Sequence, residues 1–151
     1  MSPSSFLGYD LRVKRTIKRQ PGPAFTPALD AWPDAGVYQL WIELRRPLRV
    51  TVGALGLIHF TRGMYVYTGR ARRCLRARVL RHVRGAQRLH WHIDYLLAEQ
   101  AARVGEVLLA SWDPNDECRV NRAAADGRVA VPGFGASDCR NNCPGHLWNV
   151  C

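Results

Sequence analysis

From residue 36 onward the apolar side chains change rhythm several times. Residues 37–44 (Val, Tyr, Gln, Leu, Trp, Ile, Glu, Leu) have strand composition, and 48–52 (Leu, Arg, Val, Thr, Val) alternate after an Arg45-Arg46-Pro47 turn. Gly53, Gly56 and Gly63 punctuate the next piece. Within it, 57–60 reads as a short strand and 64–68 (Met, Tyr, Val, Tyr, Thr) as a stronger one. The short connections predict an antiparallel meander.

The period then lengthens. Leu75, Val79 and Val83 recur every four residues, which predicts a helix over 72–84 with one apolar stripe. Each helical residue advances about 100°, so Arg78 sits roughly 60° from Leu75, at the border of the stripe. His82 falls almost over Leu75, while Arg73, Arg81 and Arg84 face away. Arg78 is therefore the arginine best placed to reach inward. A second helix is expected over 93–102 (Ile93, Leu96, Leu97 and Ala101 on one face) and an apolar strand over 105–112. Asp113-Pro114-Asn115-Asp116 is a helix-start signal for 117–125. From Val131 the chain reads as a glycine-punctuated loop ending at 146–150. The fold class expected is α/β (α+β), a small antiparallel β-sheet flanked by helices. Residues 1–34, with prolines at 3, 21, 23, 27 and 33 and a basic run from Arg12 to Arg19, read as an extension to a single domain over 35–151.

A chain of 151 residues is long enough to bury its own core, and 47% hydrophobic content is ordinary for a globular protein. Charge changes the picture. The 22 Lys+Arg against 12 Asp+Glu leave a net +10, which points to a polyanionic partner, nucleic acid above all. Arginines 70, 72, 73, 76, 78, 81, 84 and 88 lie in one stretch that contains no acidic residue. No run of about 18 apolar residues exists, so no membrane span is expected. The first ten residues lack the charged and apolar regions of a secretory signal. Five cysteines (Cys74, Cys118, Cys139, Cys143, Cys151) make no regular disulfide framework, and a reducing, cytoplasmic setting is the expectation.

Three groups can carry chemistry on a phosphodiester: a phenol that takes a proton, a guanidinium that meets charge building on phosphorus, and a carboxylate that holds a divalent ion. Tyr38 and Tyr67 are candidates for the first, each in a strand and each near a glycine, Gly36 or Gly69. A phenol ionises near pH 10, so either tyrosine needs help from its site to act as a base. Arg78 is the candidate guanidinium. Glu117, in a helix first turn, is a hard oxygen ligand suited to Mg²⁺ or Mn²⁺. His90, His92 and Asp94 recur at every second residue and can share a metal if they lie on a strand. Cys139-x₃-Cys143-x₂-His146, with Cys151 or Asp138 as fourth ligand, is a possible zinc cluster, although a closed structural loop is the preferred reading.

Gly36-Val37-Tyr38, Tyr67-Thr68-Gly69, Leu75-Arg76-Ala77-Arg78 and Glu117 resemble the marks of the GIY-YIG nuclease superfamily. More narrowly, Tyr65–Gly69, Arg78–His82, the string His90-Trp91-His92-Ile93-Asp94-Tyr95-Leu96, Glu117-Cys118 and Phe134-Gly135-Ala136-Ser137-Asp138-Cys139 resemble one uncharacterised branch. Members of that branch are sometimes joined to an endonuclease III-type DNA glycosylase. The resemblance covers about residues 36–149 and implies a GIY-YIG-like sheet. Its first hairpin is enlarged, since the two tyrosine signatures stand 29 residues apart (67 − 38).

The resemblance also implies roles. Tyr38 acts on the attacking water, Tyr67 orients the site, Arg78 stabilises the pentacovalent phosphorus, and Glu117 holds one Mg²⁺ or Mn²⁺ ion. Arg70, Arg72, Arg73, Arg76, Arg81, His82, Arg84, His90 and His92 are expected to contact nucleic acid, DNA favoured. The expected function is a metal-dependent DNA endonuclease, with DNA repair as its candidate setting. The alternatives are a catalytically silent nucleic-acid-binding module on the same scaffold and a zinc-stabilised interaction domain.

Overall fold

A computed structural model describes residues 22–150. The basic run from Arg12 to Arg19, and Cys151, lie outside the described residues. Along the chain run β1 (Ala24–Thr26), β2 (Gly36–Leu44), β3 (Leu48–Thr51), β4 (Leu57–Phe60) and β5 (Gly63–Ala71). Then follow α1 (Leu75–Arg84), α2 (His92–Leu97), β6 (Ala102–Ser111), α3 (Glu117–Ala123), β7 (Val129–Ala130) and β8 (Leu147–Asn149). The fold is α+β, with three α-helices among the described residues.

The main sheet has the order β1-β6-β2-β5-β8-β7. All its pairings are antiparallel except β1 with β6. The expected meander is therefore interrupted. β2 and β5 pair over their full length, from Gly36 opposite Ala71 to Leu44 opposite Gly63. Between them β3 and β4 leave the sheet as a separate two-stranded hairpin. This inserted hairpin is what separates the tyrosine signatures in sequence while leaving them adjacent in space. It is held by its own apolar residues: Leu48, Val50, Val52 and Phe60 all join the core.

Both faces of the sheet are covered. On one, Tyr38, Leu40, Ile42, Leu44, Tyr65 and Tyr67 meet Leu75 and Val79 of α1, Ile93 and Leu96 of α2, and Phe134 of the loop after β7. On the other, Val66 and Trp148 meet Ala124 at the end of α3. The α1 stripe is as its four-residue spacing predicts, with Leu75, Val79 and His82 buried.

Two expectations are corrected. The helix expected over 93–102 ends at Leu97, and Ala102 opens β6 instead. Residues 102–104 pair with Leu44, Glu43 and Ile42 of β2, and that ladder outweighs the helix preference of the alanines. Residues 24–34, counted with the extension, are integral. β1 extends the sheet beside β6, Trp32 is buried in the core, and Asp34 ties down the start of α1, its backbone O accepting from Leu75 N–H and its Oδ1 from Cys74 N–H, each at 3.0 Å.

Candidate functional site

Register alone brings the two tyrosines together. Tyr38 stands opposite Gly69 and Leu40 opposite Tyr67, so the two rings share a face on a diagonal, with centroids 6.4 Å apart. Gly69 is required for space. A Cβ there would lie 2.6 Å from Tyr38 Oη and 3.1 Å from Tyr67 Cε2. The glycine thus makes room for the tyrosines themselves. Gly135, with φ +70°, does the same from the opposite wall, where a Cβ would sit 3.0 Å from Tyr67 Cε1.

His82 lies within the core at 3% exposure, its Nε2 2.7 Å from Tyr38 Oη. It was expected to contact nucleic acid; its burial gives it an internal partner instead. The pair is neutral. Burial drives the Tyr38 phenol well above its ordinary range, against the pull of the Arg78 charge, and drives His82 down to about 4. Burial also raises Tyr67.

Arg78 reaches the cleft from α1, as its stripe-border position predicts. Its Nη1 donates to Arg70 O at 2.6 Å, and its guanidinium carbon lies 4.5 Å from the centroid of Trp91. Arg81 stacks on the same indole, also at 4.5 Å. Arg81 therefore does not simply face away: it holds both oxygens of Asp94 at 2.9 and 3.0 Å. Asp94 Oδ2 also accepts from the backbone N–H groups of His90 and Trp91. Burial raises the Asp94 carboxyl, but these donors outweigh it and hold the group below its ordinary value. The string from His90 to Leu96 is thereby explained: Asp94 orients Arg81 and Trp91, and Trp91 supports Arg78.

The same bonds rule against a shared metal at His90, His92 and Asp94. The helix begins at His92, Asp94 is fully engaged, and His92 Nδ1 accepts from Gly135 N–H at 2.8 Å. Burial lowers His92. Its ring and that of exposed His90 border the cleft.

Glu117 opens α3. The turn before it is set by Asp113, whose side chain accepts from Asn115 N–H, and by Asp116, which binds Ser111 Oγ at 2.6 Å. Glu117 is thereby fixed beside the end of β6. Its side chain, 18% exposed, has Arg70 Nε 3.5 Å from Oε1 and His146 Nδ1 3.7 Å from Oε2. Burial raises its pKa against these two neighbours, and Asp138 adds to the rise.

Tyr38, Tyr67, Arg78 and Glu117 line one cleft of about 370 Å³, together with Gly69, Arg70, His90, Trp91, His92, Gly135, Ser137 and Asp138. A second hollow of about 430 Å³ shares Arg70, Glu117 and Asp138 and adds Arg72 and Arg140. Among the other expected phosphate contacts, Arg72, Arg73, Arg76 and Arg84 are exposed. Trp91, Ser137 and Asp138 line this cleft although the sequence gave them no place in it. The only signal for Trp91 was its position between two histidines.

The model of a family described as a domain of unknown function, DUF123, matches residues 37–151. The chain belongs to this family. The matched span contains every residue of the cleft just described, and within this DUF123 domain the site rests on the family's own stretch of chain. Neither a curated protein nor a solved structure matches the chain.

The DUF123 domain carries a second cluster behind Glu117. Ligand atoms of Cys118, Cys139, Cys143 and His146 all lie within 4.8 Å of one another, a set that could hold a metal ion. Three thiols and an imidazole suit zinc better than Mg²⁺ or Mn²⁺. The fourth member is Cys118 of α3, where the sequence suggested Asp138 or Cys151. Burial alone would raise the Cys139 thiol, but the backbone N–H groups of Cys143 and Asn141 bring it to about 6. No helix among the described residues is long and apolar enough to cross a membrane.

Proposed function

We propose that this protein is a metal-dependent endonuclease that hydrolyses phosphodiester bonds in DNA, as its resemblance to GIY-YIG nucleases implies. One observation carries the reading: two phenols, a guanidinium and a carboxylate, scattered over 80 residues of sequence, meet in one cleft of about 370 Å³, roomy enough for a phosphodiester. A charge of +10, with exposed arginines along α1 and the turn before it, supports a polyanionic substrate.

The geometry is compatible with the division of labour that the resemblance implies. Arg78, braced by Trp91 and the Arg70 carbonyl, offers its remaining N–H groups to the phosphate oxygens on which charge develops. Tyr38 is a neutral phenol. It can take a proton from water only as its own moves to His82 Nε2, 2.7 Å away. Tyr67 packs beside Tyr38 and fixes its ring. Glu117 fits a Mg²⁺ or Mn²⁺ ion: it is a half-buried carboxylate whose ion pairs are long, with Asp138 on the same wall. Such an ion would supply charge neutralisation at the leaving oxygen.

A second reading, a binding module without turnover, is favoured by the Arg70–Glu117 ion pair, which occupies the carboxylate. Cutting assays on single-stranded, duplex and branched DNA with Mg²⁺ or Mn²⁺ separate the two. The wild-type protein is expected to cut, and Glu117→Gln and Arg78→Ala to cut slower by about 10²-fold or more while binding survives. Binding without cutting in either metal favours the silent module. Variants that cut like wild type would sink the site assignment.

A further inference from the structure

We propose that Cys118, Cys139, Cys143 and His146 form a structural zinc site, closed by four protein ligands, that pins the 131–146 loop to α3 and holds the imidazole facing Glu117. This inference does not depend on the nuclease reading.

Geometry carries it first. Cys118 Sγ and Cys139 Sγ are 3.6 Å apart. A tetrahedral zinc with bonds of about 2.3 Å to sulfur places two thiolates about 3.8 Å apart, whereas a disulfide needs about 2.05 Å. The remaining ligand atoms complete the group within 4.8 Å. Three soft sulfurs and one nitrogen, with no carboxylate among them, select zinc over the hard cations.

The histidine is the second, independent observation. His146 is 1% exposed, and its Nε2 is buried without a hydrogen-bond partner. A buried polar nitrogen left in this state is costly. Its other nitrogen, Nδ1, faces Thr68 O at 3.3 Å and Glu117 Oε2 at 3.7 Å. With Nδ1–H donating toward those oxygens, Nε2 carries the lone pair that a metal ion can take. A backbone carbonyl or carboxylate behind a ligating imidazole is the usual second partner of a zinc histidine, since it sets the tautomer and the ring orientation.

Around the cluster the chain is otherwise held by scattered hydrogen bonds, such as Gly133 N–H to Pro144 O at 2.8 Å and Arg122 Nη2 to Asn141 O. From Val131 to His146 no helix or strand forms, and Gly133, Gly135 and Asn142 adopt positive φ. The half up to Gly135 is anchored by Phe134 in the core and by Gly135 N–H on His92. Apart from the cluster, the half from Asp138 to Pro144 has no buried apolar anchor. A loop of this length inside a small domain needs a fixed point, and zinc bridging Cys139 and Cys143 to Cys118 supplies one.

The test begins with the full chain purified without chelators and analysed by elemental mass spectrometry. About one zinc per chain is expected; iron in its place, or no metal together with failure of the metal-free protein to take up Zn²⁺ or Co²⁺, overturns the assignment. Cobalt-loaded protein should show the intense visible absorption of tetrahedral thiolate coordination, which needs no variant and is unaffected if mutants misfold. Cys143→Ser should lose bound metal at least tenfold, Cys74→Ser should keep it, and retention by Cys143→Ser would refute the ligand set. Unfolded with chelator under non-reducing conditions, the chain should show five free thiols; a Cys118–Cys139 disulfide located by peptide mapping would refute the site. Arg78→Ala, whose side chain contacts the Arg70 carbonyl and Trp91 and none of the four ligands, should keep its zinc even where it stops cutting, so the two proposals fail separately.

Discussion

Tyr38 Oη and His82 Nε2 are joined at 2.7 Å in the core, across 44 residues of sequence. Both groups are buried, and His82 Nδ1 has no partner of its own. Tyr38→Phe would therefore leave the imidazole with neither nitrogen bonded. It should lower unfolding free energy by about 1–3 kcal/mol in urea titration. Adding His82→Leu, which removes the stranded polar group, should recover much of that loss. A neutral Tyr38→Phe would show that the bond does not form.

The same pair makes stability depend on pH. His82 holds its proton only below about 4 in the folded protein, because burial and the charges of Arg81 and Arg78 oppose protonation while Asp94 favours it. Unfolded, it binds a proton near 6.5. The unfolded state thus takes up more protons as pH falls from 6.5 towards 4, and stability falls across that window by about 3 kcal/mol, with no further loss from this group below it. His82→Gln should flatten this part of the profile. An unchanged slope in the variant would place the acid sensitivity elsewhere.

How far the sequence revealed these features depended on period. The stripe of Leu75, Val79 and Val83 announced α1 and put Arg78 at its inward border, where the structure places it. Pattern could not reveal that β3 and β4 leave the sheet, because a hairpin packed on the core alternates just as a sheet strand does. Arg81 departs from its pattern for a related reason: its helical angle points outward, but Asp94, 13 residues on, arrives over it. Cys118 escaped the zinc pattern because it lies 21 residues before Cys139, and only the packing of α3 closes that gap. Glu117 had no signal in isolation.

Trp91 stacks on Arg78, and under the proposed function it positions that guanidinium. Trp91→Leu removes the stacking surface and, taking about 0.5–2 kcal/mol for the contact, should slow turnover by about 2- to 30-fold. The nuclease reading predicts that the loss appears in kcat with KM little changed, because the guanidinium acts on charge that develops during reaction. A purely structural tryptophan would lower stability and leave kcat untouched at temperatures well below unfolding.

Asp94→Ala reaches the same arginine from further away. It removes two of the three hydrogen bonds of Arg81 and strands two backbone N–H groups, and because Arg81 is 30% exposed and can turn to water, the cost should be about 2 kcal/mol. Calorimetric or urea unfolding would measure it. A cost near zero would mean that Trp91 and Arg81 keep their places without the carboxylate.

Exposed arginines should act through charge alone. Replacing Arg72, Arg73 and Arg76 together by alanine is expected to weaken DNA binding across all sequences and to reduce the slope of log K against log salt by about 3. Fluorescence anisotropy over a salt series measures both. An unaltered slope would move the phosphate-binding surface off this stretch.

Gly69→Ala tests the site at its tightest point. The added methyl would stand 2.6 Å from Tyr38 Oη and 2.7 Å from Tyr38 Cζ, closer than any unstrained contact, so the phenol must tilt away from His82. Overpacking of this kind should cost about 1–3 kcal/mol. The double variant Gly69→Ala with Tyr38→Phe distinguishes the causes. It lacks the oxygen, but the ring carbon still meets the methyl, so the substitution should remain destabilising by a smaller margin. If Gly69→Ala were as stable as wild type, Tyr38 would not lie across Gly69, and the register that brings the two phenols into one cleft would be wrong.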